Sequence, residues 1–134
     1  MLTFIKKHWK STVVVIVIFI CSFINPPEIQ EIPGFSIGWD KIIHVIMFFT
    51  LSIALMLEFF VNYSTKLKLK FWLICAFSPI FLGGLVEILQ GTLTTTRSCD
   101  FDDLLADILG VLLALVCIKI VKNLINKNLW FTKI

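Results

Sequence analysis

The sequence predicts an all-α, polytopic membrane protein: a four-transmembrane-helix bundle with both termini in the cytoplasm. Three observations predict it. Of the 134 residues, 58% are hydrophobic and the mean hydropathy is +0.96, against about 45–50% apolar in a soluble domain. The apolar residues gather into four segments, three of them near the roughly 20 residues that cross a bilayer. The lysines alternate between the segments in a way that sets their direction. The chain is read as a single domain over residues 1–134, since nothing this short divides comfortably in two.

The first span is expected over residues 9–24, "WKSTVVVIVIFICSFI". Lys6, Lys7 and Lys10 precede its apolar stretch, as in a signal peptide. No small-residue cleavage site follows in "SFINPPE", so the segment is read as a retained anchor. The second span is expected over 41–61, the third over 71–90 and the fourth over 104–121. The connection "NPPEIQEIPGFSIGWD" has three prolines and two glycines and reads as turns. "GTLTTTRSCDFDD" is polar and ends in helix N-cap residues.

Ten of the twelve basic residues fall at or before the start of span one, between spans two and three, or at or after the end of span four. If all four spans cross, those ten share one side, the cytoplasmic one. Lys41 and Arg97 alone lie opposite, among most of the acids. The four cysteines, Cys21, Cys75, Cys99 and Cys117, form no CxxC pair and imply no disulfide framework.

"DKIIH" opens span two, where Asp40 and His44 stand one helical turn apart on one face. In span three, "GGLVEILQG" brings Gly83, Gly84, Glu87, Gln90 and Gly91 close to one stripe. In span four, Asp100, Asp103, Asp107 and Gly110 form another. His44, Glu87 and Asp107 thus fall at one depth, about one turn inside the outer boundary. Ionisable groups within a span are costly, and they face a bundle interior or a wet cavity. Six acids (Asp40, Glu87, Asp100, Asp102, Asp103, Asp107) stand there against Lys41 and Arg97, a formal surplus of four negative charges with His44 neutral. Crowded carboxylates of that kind bind protons or share a cation.

Three chemistries fit these residues. For general acid–base work, His44 is held by Asp40 and passes a proton, with Glu87, Asp103 or Asp107 in the second role. For a hard divalent cation (Mg²⁺, Mn²⁺ or Ca²⁺), the ligands are His44, Glu87, Asp103 and Asp107. For anion recognition, Arg97 is the only arginine among eleven lysines and suits a phosphate or carboxylate. The plainer alternative is an ion-pair lock that holds three helices together. Glu58 is read as snorkelling toward Lys66 or Lys68 at the inner end of span two. His8 is read as part of the basic flank. No phosphate loop, GxSxG, HExxH or nucleic-acid patch occurs.

"DKIIH", "EILQ" and "RSCDFDDLLADILG" together resemble the VanZ-like family of small bacterial membrane proteins, over about residues 36–118. Its pattern runs D-K-x-x-H, E-x-x-Q, R-S with D-x-x-D, then an Asn-x-x-Gly-like step. The matching positions are Asp40, Lys41, His44, Glu87, Gln90, Arg97, Asp100, Asp103 and Gly110. Asp107 stands where many members have Asn, and Cys99 where Gly is common, so a role needing a neutral amide at 107 does not carry over. The resemblance implies Lys41 and Gln90 as substrate- or anion-contacting positions beside Arg97, with Asp40 and Asp100 in support. It implies a multi-pass protein of the bacterial plasma membrane, in a family associated with resistance to the glycopeptide teicoplanin. The expected partners are membrane lipids, a lipid-linked envelope precursor or a lipoglycopeptide, and further copies of the chain. The first function expected is binding or modification of an amphiphilic envelope molecule at the outer face. A non-enzymatic shield or scaffold and an ion-coupled carrier are the alternatives, and the carrier is disfavoured because only Glu58 interrupts the apolar spans below the cluster.

Overall fold

The computed structural model describes residues 7–23, 38–62, 68–93 and 100–131. Four helices account for nearly all of them: α1 (Trp9–Phe23), α2 (Trp39–Asn62), α3 (Lys68–Leu93) and α4 (Phe101–Phe131). Helices α2, α3 and α4 are long and apolar enough to cross a membrane, while α1 is a shorter apolar helix of 15 residues. The all-α expectation holds. Helices α2, α3 and α4 outrun the expected spans because hydropathy marks where lipid contact ends, whereas backbone hydrogen bonding continues into polar residues. α4 runs ten residues past Val121, through "KNLINKNLWF". α3 also carries Pro79 in its interior.

The helices alternate in direction. Lys41 meets Asp100 and His44 meets Asp107, so α2 and α4 run parallel and begin at the same end. Glu87 of α3 reaches the start of α4. Glu58, late in α2, reaches the start of α1. Ser22, late in α1, meets Gln90, late in α3. Two ends result: a polar one at the starts of α2 and α4, and an opposite one at the start of α1. Which side of a membrane each end faces is an expectation from the lysines alone.

The core draws on all four helices: Ile18, Phe48, Leu51, Val86 and Val111 are buried together, with Phe19, Met47, Ile80 and Leu115 packed against them. Much of the remaining apolar surface points outward. Phe48 is 0% exposed and Phe81 76%. Large exposed apolar side chains on every helix fit a lipid solvent, so this is a membrane protein.

The tightest approach is between α2 and α4. A Cβ added to Gly110 would fall on the Val45 carbonyl oxygen and 2.9 Å from the Phe49 nitrogen. Only glycine lets the two backbones lie so close.

The opposite end corrects two expectations. Glu58 does not snorkel; it is buried against the start of α1. Its carboxylate accepts the Lys10 N–H at 2.7 Å, the Ser11 N–H at 3.1 Å and the Ser11 hydroxyl at 2.6 Å. His8 is not a flank residue either, since it is buried with its Nδ1 3.2 Å from the same carboxylate. The first N–H groups of a helix lack partners within it. The first turn of α1 holds no acidic side chain, so α2 supplies the carboxylate.

Candidate functional site

At the polar end, Asp100 starts α4. Its side chain accepts the Asp102 N–H at 2.9 Å, and its carbonyl accepts the Leu104 N–H. This is the N-cap expected from the sequence. The Asp100 N–H in turn donates to Glu87 Oε2 at 3.2 Å, which ties the end of α3 to the cap. Asp100 lies outside the membrane-spanning segments. The Asp102 N–H, then the Lys41 ammonium, hold its carboxyl below the ordinary carboxylate range. Its contribution to stability is therefore present above that ordinary range and fades as pH falls through the lowered value.

Lys41 bridges three acids. Its ammonium lies 3.2 Å from Asp100, 3.3 Å from Asp103 and 3.8 Å from Asp102. One turn deeper, His44 Nδ1 sits 2.8 Å from Asp107 Oδ1, and His44 Nε2 sits 4.0 Å from Asp103 Oδ2. The His44 ring also stacks on Phe48. The column descends from Asp102, whose side chain is 65% exposed, to Asp107 at 0%. An exposed Lys–Asp bridge contributes little. The His44–Asp107 pair is different, because losing either partner would strand a buried polar group.

The helices place these side chains simply. Asp100, Asp103 and Asp107 recur at helical spacing along α4, and Lys41 and His44 do the same along α2. The parallel run of α2 and α4 matches the two series rung by rung. Gly83 completes the seat: a Cβ there would fall on the Asp107 carboxylate, whereas one at Gly84 would meet nothing within 4 Å. Gly83→Ala is expected to push Asp107 off His44 and cost about 1–3 kcal/mol, as overpacking does. Gly84→Ala should be neutral or slightly stabilising through helix propensity. Thermal unfolding of the two variants in detergent distinguishes them, and equal melting temperatures would refute the seat.

The structure thus brings together Asp40, Lys41, His44, Glu87, Asp100, Asp103 and Asp107. Two sets of three present one ligand atom each within 4.8 Å of one another: Asp40, His44 and Asp103, and His44, Glu87 and Asp107. The four expected metal ligands are therefore divided between two groups that share His44. Gln90 turns toward α1, where its Nε2 donates to the Ser22 carbonyl at 2.7 Å. Arg97 and Cys99 lie outside the described residues. The sequence also pointed to Asp40 as the residue that holds His44, by its one-turn spacing. In the fold, His44 Nδ1 meets Asp107, 63 residues away, a pairing that no local spacing signals.

Fold and site together define a small polytopic helical membrane protein with a buried acid–histidine cluster at one end of its bundle. The chain belongs to the VanZ/LLP1 family, whose family model matches residues 1–122. No curated protein matches the chain, and no solved structure does.

Proposed function

We propose that the polar end of the bundle faces the outside of a bacterial plasma membrane and receives the polar head of an amphiphilic cell-envelope molecule. The observation that carries this is the continuous polar column from the exposed Asp102 and half-buried Lys41 down to the buried His44 and Asp107, beside apolar surface. An amphiphile in the membrane can keep its chains in lipid while its head enters such a column from the side. Lys41, and Arg97 from the sequence between α3 and α4, recognise an acidic part of the head. The surrounding acids suit its hydroxyl or amine groups. His44, held by Asp107, is the group placed to take or give a proton should the head be modified. A lipid-linked cell-wall precursor has this chemistry, and the family's association with teicoplanin resistance points to the same compartment.

Native mass spectrometry of the detergent-extracted protein tests the reading. Wild type is expected to retain an envelope lipid that a His44→Gln, Asp107→Asn double variant loses by about tenfold or more, at unchanged helicity. Equal lipid retention in both would end it. The alternative is a lock between α2 and α4, which the buried 2.8 Å His44–Asp107 pair favours. A pure lock predicts that the double variant loses folded protein in the membrane and that wild type selects no lipid.

A further inference from the structure

His44, Glu87 and Asp107 come from three different helices and are 1%, 2% and 0% exposed. Each offers one ligand atom, all within 4.8 Å of one another. Two of the carboxylate oxygens, Glu87 Oε1 and Asp107 Oδ2, are buried with no hydrogen-bond partner among the described residues. Buried polar atoms nearly always have one, and a bare buried carboxylate is more costly still. The other oxygen of each carboxylate is already used, Glu87 Oε2 on the Asp100 N–H and Asp107 Oδ1 on His44. A small positive group among the three helices would supply what these oxygens lack.

We propose that His44, Glu87 and Asp107 bind one divalent cation of the manganese class. Two carboxylates and a neutral imidazole carry a charge of 2−, which one such ion cancels. The donor set narrows the metal. Two carboxylates without a thiolate favour a hard ion, while the imidazole departs from the all-oxygen shells of Mg²⁺ and Ca²⁺. Mn²⁺ accepts both donor types, as Fe²⁺ and Zn²⁺ do, and is the hardest of the three. Toward solvent, Asp100, Asp102 and Asp103 surround the Lys41 ammonium, three acids against one cation. Three protein ligands leave coordination positions open. The site stands on the chain alone and does not depend on a head group being bound.

The test uses the full chain in detergent, stripped with a chelator and titrated with Mn²⁺ alone. The signal of free Mn²⁺ is followed by electron paramagnetic resonance. One saturable ion per chain is expected. Glu87→Gln and Asp107→Asn, which keep side-chain shape, should each weaken binding by at least about tenfold, since even residues behind the ligands change affinity by about 10–100-fold. Pulsed resonance on the wild-type complex should show coupling to one imidazole nitrogen, a readout that needs no variant to fold. Absence of a one-to-one site, absence of nitrogen coupling, or unchanged binding in both variants would each overturn the proposal. The two carboxylates would then hold a proton in the ion's place.

Discussion

Gly110→Val is expected to unseat α4 from α2 and to remove most of the folded protein from the membrane. The reason is that nothing at the crossing can step aside. The atoms an added Cβ would meet at Gly110 are the carbonyl oxygen and carbon of Val45 and the nitrogen of Phe49. All are backbone within the α2 helix, so no rotamer change relieves the clash and the helices must separate. Overpacking typically costs about 1–3 kcal/mol, and a clash onto helical backbone belongs at the upper end, about 3 kcal/mol, already for Gly110→Ala. Valine, with two more methyl groups, exceeds that. The effect also reaches the site. Val45 is the neighbour of His44, and Asp107 lies one turn before Gly110. Widening the crossing therefore lengthens the 2.8 Å contact between them. Thermal unfolding of wild type and the alanine and valine variants in detergent gives the comparison. An alanine variant that melts with wild type would mean that the two backbones are free to separate at this crossing.

Glu58→Ala should release the start of α1. One carboxylate there accepts from two backbone N–H groups and one hydroxyl, and it also faces the His8 imidazole. Removing it strands donors that the helix cannot satisfy internally. It also takes a negative charge from the positive end of the α1 dipole. Each buried group left without a partner costs about 1–3 kcal/mol. The losses overlap, so the total expected is about 3–5 kcal/mol, the range seen when one side of a buried pair is removed. Glu58→Gln keeps one acceptor oxygen and should lose roughly half as much. At the far end α1 stays tied through Gln90 and the Ser22 carbonyl, and its middle is held by Ile18 in the core. The expected result is local: faster tryptic cleavage after Lys7 and Lys10, with α2–α4 intact. Cleavage at the wild-type rate would show that the carboxylate does not hold α1.

Much of this protein is legible in its sequence, for reasons that are local. Apolar runs of membrane length follow from the thickness of a bilayer. The turns of α4 that carry Asp100, Asp103 and Asp107 follow from 3.6-residue periodicity, as does the placing of Asp40 and His44 on one face of α2. The Asp100 cap follows from the chemistry of a helix start. These rules alone place His44, Glu87, Asp103 and Asp107 at one end of the bundle.

The partners of those residues are not local, and only the tertiary structure decided them. Periodicity says which face of a helix a residue occupies but not which helix that face meets. Asp107 therefore emerges as the partner of His44, and Glu58 as the cap of α1, only when helices far apart in sequence are packed together. Gly83 and Gly84 are neighbours in the chain, yet one seats a carboxylate and the other faces open space. Hydropathy cannot separate them, nor can it tell the buried Phe48 from the exposed Phe81. In water an apolar side chain reports its own burial. In lipid the solvent is as apolar as the core, so that signal disappears. Close backbone approach and the few polar contacts decide which faces turn inward.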